Sequence, residues 1–412
     1  MWELIRANQR KSFWLFIGMS ILLLLLGYAI GSSFIPEGGG SFGVLVALGI
    51  WMVLSIISIA FGSNILLAIS GAKEVTSEVH PQLFNVVEEM KIAAGLPNIP
   101  KIYIINEEAP NAFATGVKPE NSAIAVTAGL LSKLNRDELQ GVVAHETAHI
   151  FNRDIRFMTL AGIMLGAIVL ISEIYFRGMW ISGGGRRYSS KSSKSSGQGQ
   201  VIIMIAAIAL AILAPILARL LYLAISRKRE YLADATAVRF TRYPEGLASA
   251  LEKISESTLD LRSANKVTAP MYIVNPLKEK GMKIADLTST HPPISERIRI
   301  LRSISQGAGF IDYQTAFDKI KRKATPIIPA SALTNPEKVE IKIPGEATVA
   351  QESTKQQKRT LGDLMMTVNN YSFLACVCGM KIKIPAGFGT NRPKVTCPRC
   401  GHVSAVAANK TI

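Results

Sequence analysis

The chain has 412 residues, 46 Lys and Arg against 30 Asp and Glu, a formal net charge of +16 and a hydrophobic fraction of 49%. With a positive mean hydropathy, this composition excludes an ordinary soluble enzyme and predicts a chain that sits partly in a bilayer. The excess of cations fits Lys and Arg gathered at cytoplasmic membrane boundaries, and clusters such as Arg227-Lys228-Arg229 and Lys321-Arg322-Lys323 could rest on anionic headgroups; nucleic acid is not expected as a partner, since no basic motif is interleaved with aromatics.

Residues 13–30 form an uncharged apolar run long enough to cross a bilayer, and residues 42–69 form a longer one. Basic residues precede the first run, as in a signal peptide. No small-residue cleavage site follows and a second run comes quickly, so a retained anchor is predicted. Arg6, Arg10 and Lys11 lie before the first run, whereas loop 31–41 carries only Glu37. The positive-inside rule then predicts a cytoplasmic amino terminus, an external loop and a return of residues 71–156 to the cytoplasmic side.

Two short strand-like runs, 101–106 and 122–127, flank Asn111-Ala112-Phe113-Ala114-Thr115-Gly116. Next, Asn135-Arg136-Asp137-Glu138 has the spacing of a capping box and predicts a helix through His145-Glu146-Thr147-Ala148-His149. Residues four apart share a helix face, so His145 and His149 could hold one metal ion side by side. Glu146, beside the first ligand, could take a proton from an attacking water. Only five histidines occur in the chain, which argues against chance scatter, whereas His80, ahead of Pro81, suggests no role.

Two further apolar runs, 157–176 and 201–225, bring the total to four. The segment between them, 177–200, carries Arg177, Arg186, Arg187, Lys191 and Lys194, and two full spans would place it outside, against the positive-inside rule. Glu173 and Arg219 are also costly in lipid. A hairpin lying partly in the interface would ease both problems, but each run meets the length criterion and a spanning pair is favoured. The Gly/Ser-rich part of this loop is expected to be flexible. Immediately after the fourth run, in Glu230-Tyr231-Leu232-Ala233-Asp234, Glu230 would supply the third metal ligand and leave a fourth position open, as in catalytic zinc sites. Asp234, one turn later, could accept the spare ring N–H of a ligand histidine.

Residues 311–324 read as a helical extension. Residues 325–360 are rich in Pro, Lys, Glu, Thr and Gln and read as a disordered tether. All four cysteines follow: Cys376-Val377-Cys378-Gly379, a tighter spacing than the usual two-residue gap, and Cys397-Pro398-Arg399-Cys400 followed by Gly401. They predict a small zinc ribbon with a closed four-thiolate structural site, with His402 as a spare ligand; a cytoplasmic location disfavours disulfides. The ribbon is expected to move independently and could recruit a protein partner.

Four stretches, His145-Glu146-Thr147-Ala148-His149 with Asn152-Arg153-Asp154, Arg229-Glu230-Tyr231-Leu232-Ala233-Asp234, Asn111–Gly116, and Thr290-His291-Pro292-Pro293 with Glu296-Arg297, resemble the HtpX and CAAX-prenyl-protease family of membrane zinc metallopeptidases, the HtpX branch most closely. The resemblance implies an α-rich, multi-pass integral membrane protein with a gluzincin-type α+β metallopeptidase domain. It also implies that His291 and Arg297 sit at the substrate cleft, where they could stabilise an oxyanion. It further implies that Asn111, Ala112, Phe113 and Ala114 belong to an edge strand beside the cleft, to which a substrate peptide could add as an extra strand; the plainer reading is a turn between two hairpin strands, and the two are compatible. The domains expected are a transmembrane hairpin (1–70), a metallopeptidase domain (71–310) containing the hairpin 157–225, the extension, the tether and the ribbon (361–412). The expected activity is zinc-dependent endopeptidase cleavage of unfolded or membrane proteins at the cytoplasmic face, in quality control. The alternatives are narrow processing of CAAX type, or a silent scaffold acting through its ribbon. Membrane lipids and protein substrates are the expected partners, and one catalytic and one structural Zn2+ the expected cofactors.

Overall fold

The computed structural model describes residues 2–35, 37–183, 196–262, 271–274, 291–305, 307–321, 326–328, 330–333, 339–342, 354–386, 388 and 394–405. The first two apolar runs fold back on each other as a helical hairpin, α1 (Trp2–Phe34) and α2 (Gly39–Ile69). Lipid offers no hydrophobic drive for helices to associate, so they must pack closely, and small residues permit it. A Cβ placed on Gly27 would lie 2.5 Å from that of Ala47, and one on Gly31 would lie 2.0 Å from the Gly39 carbonyl oxygen. The two backbones therefore touch.

After the hairpin come β1 (Ala72–Glu74), α3 (Pro81–Ala94), β2 (Lys101–Ile105), β3 (Ala112–Gly116) and β4 (Ser122–Thr127). The four strands form one sheet in the order β1-β2-β4-β3, with β2 and β4 parallel and the other pairs antiparallel. His80 caps α3, its Nδ1 accepting from the Leu83 N–H at 3.1 Å. The sheet is covered on both faces. Ala112, Ala114, Ile124 and Val126 belong to the cluster that contains α3 residues such as Val86 and Val87. The alternate residues Phe113, Ala123 and Ala125 belong to a second cluster, shared with Met19 and Leu23 of α1. Period-two alternation thus joins a catalytic layer to a membrane layer through one sheet.

Four more helices complete that joint: α4 (Ala128–Lys133), α5 (Arg136–Phe151), α6 (Asp154–Gly183) and α7 (Ser196–Thr241). The capping box forms as expected: the Asn135 side chain accepts from the Glu138 N–H and the Glu138 carboxylate from the Asn135 N–H, both at 2.9 Å. Such a cap contributes about 1 kcal/mol. From Glu138 to Ile150 every residue of α5 is buried, so this helix is the axle of the catalytic layer. Its close neighbour is α8 (Pro244–Ser255), admitted by Gly141, where a Cβ would lie 2.6 Å from the Leu247 backbone nitrogen.

Among the described residues, four helical segments are long and apolar enough to cross a membrane: Ser12–Phe34, Gly39–Ile69, Asp154–Met179 and Gly199–Leu221. The third is the most enclosed, with 56% of its apolar window buried against 28%, 11% and 22% for the others, which makes α6 the inner helix of the bundle. The third and fourth runs thus meet the criterion for a spanning pair. Glu173 pairs with Arg177 at 3.9 Å, which lessens the cost of either charge near lipid. The Gly/Ser-rich stretch with Arg186, Arg187, Lys191 and Lys194 lies outside the described residues.

Downstream of α8 lie α9 (Ile294–Arg302), α10 (Phe310–Lys321), α11 (Ala330–Leu333) and α12 (Thr354–Val368). α10 covers residues 311–321 of the expected extension, and 322–324 lie outside the described residues. The stretch 325–360 differs from a free tether where it is described. Ile328 is buried, the Val339 carbonyl accepts from the Ala308 N–H at 2.7 Å, and the Lys342 N–H donates to the Arg242 carbonyl at 2.8 Å. α12 lays Leu361, Leu364 and Val368 against the catalytic core, an i, i+3, i+7 face that composition alone masks. The rest of the tether, 325, 329, 334–338 and 343–353, and Arg322-Lys323 of the basic cluster lie outside the described residues. Two hairpins, β5 (Ser372–Ala375) with β6 (Lys381–Ile384) and β7 (Lys394–Thr396) with β8 (Val403–Ala405), form the ribbon.

Candidate metal centre and active site

α5 presents His145, Glu146 and His149 to α7, which presents Glu230 and Asp234. The helical spacing of the two histidines brings their rings to 4.8 Å between centroids, nearly perpendicular. His145 Nε2 lies 3.5 Å from Glu230 Oε2, and His149 Nε2 lies 3.5 Å from Glu230 Oε1. Both imidazoles therefore aim the same ring nitrogen at one carboxylate.

The other ring nitrogen of each histidine faces a second carboxylate. His145 Nδ1 lies 3.0 Å from Asp234 Oδ1, and His149 Nδ1 lies 3.3 Å from Asp154 Oδ2. Each carboxylate in turn meets an arginine. Arg297 donates to Asp234 through Nε at 2.9 Å and Nη2 at 2.7 Å, while Arg229 Nε lies 3.5 Å from Asp154 Oδ1. Two parallel relays, His145–Asp234–Arg297 and His149–Asp154–Arg229, thus fix the rings in orientation and tautomer. Sequence spacing alone assigns Asp154 no role. It stands five residues beyond His149, off the helical spacing. A positive φ of 59° at Arg153, unusual for a residue with a side chain, turns the chain so that α6 begins with Asp154 beside the histidine.

The electrostatics follow from burial and these pairings. Burial disfavours a proton on His145, but the Asp234 and Glu230 carboxylates outweigh it and raise the pKa. For His149, burial is likewise overcome, by Asp154 and Glu230, and the pKa is pushed up to about 10. Burial also works to raise Glu230, yet His291, His145 and His149 hold it well below the carboxylate range. The gap between the three side chains is one that attracts positive charge. Glu146 behaves differently: desolvation raises its pKa, partly offset by His145 and His149, and the Ala114 backbone hydrogen-bonds its carboxylate.

These residues fit a zinc ion. One ligand atom each from His145, His149 and Glu230 lie within 4.8 Å of one another, all three residues buried. Glu230 Oε2 is buried without a hydrogen-bond partner, although Arg297 Nη1 (3.4 Å), His145 Nε2 (3.5 Å) and His291 Nε2 (3.7 Å) surround it. Two imidazole nitrogens and a carboxylate oxygen form a donor set typical of catalytic zinc.

The two residues expected at the oxyanion part company. His291 is buried beside Glu230, and desolvation pulls its pKa down to about 4, so it is a neutral donor at neutral pH. Arg297 is fully buried, and its guanidinium is taken up by Asp234 and, through Nη1 at 3.3 Å, by the Ile273 carbonyl. Its position is that of a brace for Asp234 rather than of an oxyanion donor.

β3 is an edge strand, as expected. Part of its edge is covered by the chain itself. The Ile273 N–H donates to the Ala112 carbonyl at 2.9 Å, and the Asn111 side chain donates to the Val274 carbonyl at 2.8 Å. Phe113 points the other way, into the membrane-side cluster, with its ring 5.1 Å from that of Tyr272. Strand alternation, already readable in sequence, separates it from Ala112 and Ala114.

In the ribbon, one ligand atom each from Cys376, Cys378, Cys397 and Cys400 lie within 4.8 Å of one another. The Cys376–Cys400 and Cys378–Cys397 sulfurs are 3.4 and 3.7 Å apart, far beyond a disulfide bond and near the edge of about 3.8 Å of a tetrahedron with Zn–S bonds of about 2.3 Å. Gly379 (φ 79°) and Gly401 (φ 72°) close the two turns in the left-handed region. Replacing Cys376 or Cys397 with Ser is expected to lower bound zinc in the purified chain from about two ions to about one, with the hydrolytic site still loaded. Metal analysis that finds both ions retained would refute a four-thiolate site.

The sequence matches Peptidase family M48 over residues 77–305. It is 47% identical over 311 residues to the Protease HtpX homolog of Dictyoglomus thermophilum, covering 76% of this chain and 97% of that one. It is 44% identical over 307 residues to the Protease HtpX homolog of Listeria monocytogenes (74% and 100% covered), and 41% identical over 304 residues to that of Streptococcus gordonii (74% and 100% covered). Among solved structures, the crystal structure of S. mikatae Ste24p overlaps 73% of this chain and 67% of that one at 20% identity and a TM-score of 0.38, too loosely to inform the site.

Proposed function

The chain belongs to peptidase family M48 and is a membrane zinc metalloprotease, and on that premise we propose that it cleaves unfolded or membrane-embedded proteins at the cytoplasmic membrane face, with His145, His149 and Glu230 as zinc ligands and Glu146 as general base. The observation that carries this reading is the convergence of both Nε2 atoms and the Glu230 carboxylate on one buried point beside Glu146. Zinc held there would lower the pKa of water and polarise the scissile carbonyl. Glu146, with its pKa raised by burial, takes the proton of the attacking water and returns it to the leaving amine. Neutral His291 donates an N–H toward the carbonyl oxygen as negative charge grows there. Asp234 and Asp154, braced by Arg297 and Arg229, keep the ligand rings from turning.

An extended substrate would pair with the outer edge of β3 in place of residues 271–274, whose main-chain bond to Ala112 supports that edge as a strand acceptor. Main-chain pairing reads little sequence, which suits unfolded substrates better than one processing site. The cytoplasmic orientation rests on Arg6, Arg10 and Lys11 ahead of the first span. A second zinc in the four-cysteine cluster would be structural, and the ribbon could present substrates or a partner.

The full-length chain in detergent is expected to cleave a reduced, unfolded protein and to spare the same protein when folded. A zinc chelator should stop cleavage and added Zn2+ should restore it. Cleavage that persists once metal analysis shows the hydrolytic site stripped would overturn the assignment of the metal, and equal cleavage of folded and unfolded protein would overturn the quality-control reading.

A further inference from the structure

A cavity of about 840 Å³ lies at the catalytic end of the helical bundle, between α1, α2, the start of α6 and the turn joining β3 to β4. Its lining combines cations with aromatic rings. Lys118, Arg153 and Arg156 line it, with Glu120 as the only acid, so the lining carries a net charge of about +2. None of these three cationic side chains has an ion-pair or hydrogen-bond partner among the described residues. Phe16 and Trp51, their rings 5.8 Å apart, also line it, and Ile59 follows Trp51 two turns along α2. In the same lining, the Ser55 hydroxyl is buried without a hydrogen-bond partner. Arg153 is also the residue held at a φ of 59°, a conformation that Gly or Asn would adopt more cheaply, so the backbone does not explain an arginine there.

The level of the cavity matters. Ser12 and Arg156 lie in it, and two spans begin at Ser12 and Asp154. The cations therefore stand at the membrane boundary and the aromatics below it. A small soluble anion would leave the aromatic half idle, and an apolar peptide would leave three cations unpaired. An amphiphile with an anionic head and two acyl chains satisfies both halves, and an ester carbonyl could accept from Ser55.

We propose that this cavity is a binding site for an anionic phospholipid, with its phosphate among Lys118, Arg153 and Arg156 and its chains against Phe16 and Trp51. Ser12, which lines the same cavity, accepts a hydrogen bond from Arg229 at 2.6 Å, so the bound lipid lies one contact from the His149–Asp154–Arg229 relay.

The test uses Trp51 as a reporter in the full-length chain, with Trp2, Trp14 and Trp180 replaced by Phe and the protein reconstituted in phosphatidylcholine vesicles. Brominated-chain phosphatidylglycerol is expected to quench Trp51 at a mole fraction about tenfold lower than brominated-chain phosphatidylcholine does. The double substitution Lys118→Gln, Arg156→Gln should abolish that preference, and Lys118→Arg, Arg156→Lys should keep it. Equal quenching by the two lipids refutes the site, as does a preference that survives the removal of both charges. Native mass spectrometry of the unsubstituted chain gives a second reading that needs no variant: phosphatidylglycerol should stay bound in preference to phosphatidylcholine, and its displacement by inorganic phosphate would show a small-anion site instead.

Discussion

Glu146→Gln is expected to lower the rate of proteolysis by about a hundred- to ten-thousand-fold while zinc content stays unchanged. The amide is nearly the same size as the carboxylate, so the buried seat on α5 is kept, and Glu146 is not among the three side chains that converge as ligands. What is lost is the base. Two measurements on one preparation decide the matter: metal analysis and cleavage of an unfolded protein. If cleavage persists at the original rate, proton transfer lies elsewhere and the assignment fails. If zinc disappears along with activity, Glu146 is part of the metal site and its role as a separate base is wrong.

The second large effect is expected at Arg297, the largest of the fully buried side chains among the described residues. Its two hydrogen bonds to Asp234 face inward, and the Asp234 carboxylate is held ionised against desolvation chiefly by that guanidinium. Arg297→Ala leaves Asp234 buried and uncompensated, a change that costs about 3–5 kcal/mol. Asp234 then holds His145 less firmly, and zinc affinity should fall by about 10- to 100-fold. Arg297→Lys restores the charge but not the two-pronged geometry, so partial recovery is expected. Thermal unfolding and zinc retention in a zinc-buffered solution test the two consequences separately. A variant that melts lower but binds zinc with unchanged affinity would reduce Arg297 to a packing residue.

The legible part of the site was the local part. His145, Glu146 and His149 lie within five residues on one helix, and an i, i+4 spacing places both rings on one face whatever the rest of the chain does. The capping box is equally local, and the four spans follow from hydropathy and length alone. What sequence could not supply was pairing at a distance. Arg297 meets Asp234 across 63 residues, so an arginine expected at an oxyanion turned out to brace a carboxylate. Asp154 was visible as a residue, but its role depends on a left-handed turn at Arg153 that has no sequence signature. The cover over β3 by residues 271–274 likewise joins segments with no common periodicity.

By itself, then, the sequence determined the chemistry and the solvent: which side chains can bind a metal, which can move a proton, and which helices prefer lipid. These follow from short-range geometry and from composition, both written along the chain. Only the tertiary structure decided which groups hold the ligands in place, how much of the β3 edge is open, and that cations and aromatics from four segments line one cavity at the membrane boundary. Those outcomes depend on burial and on contacts between distant segments, which form only when the sheet joins the catalytic layer to the membrane layer.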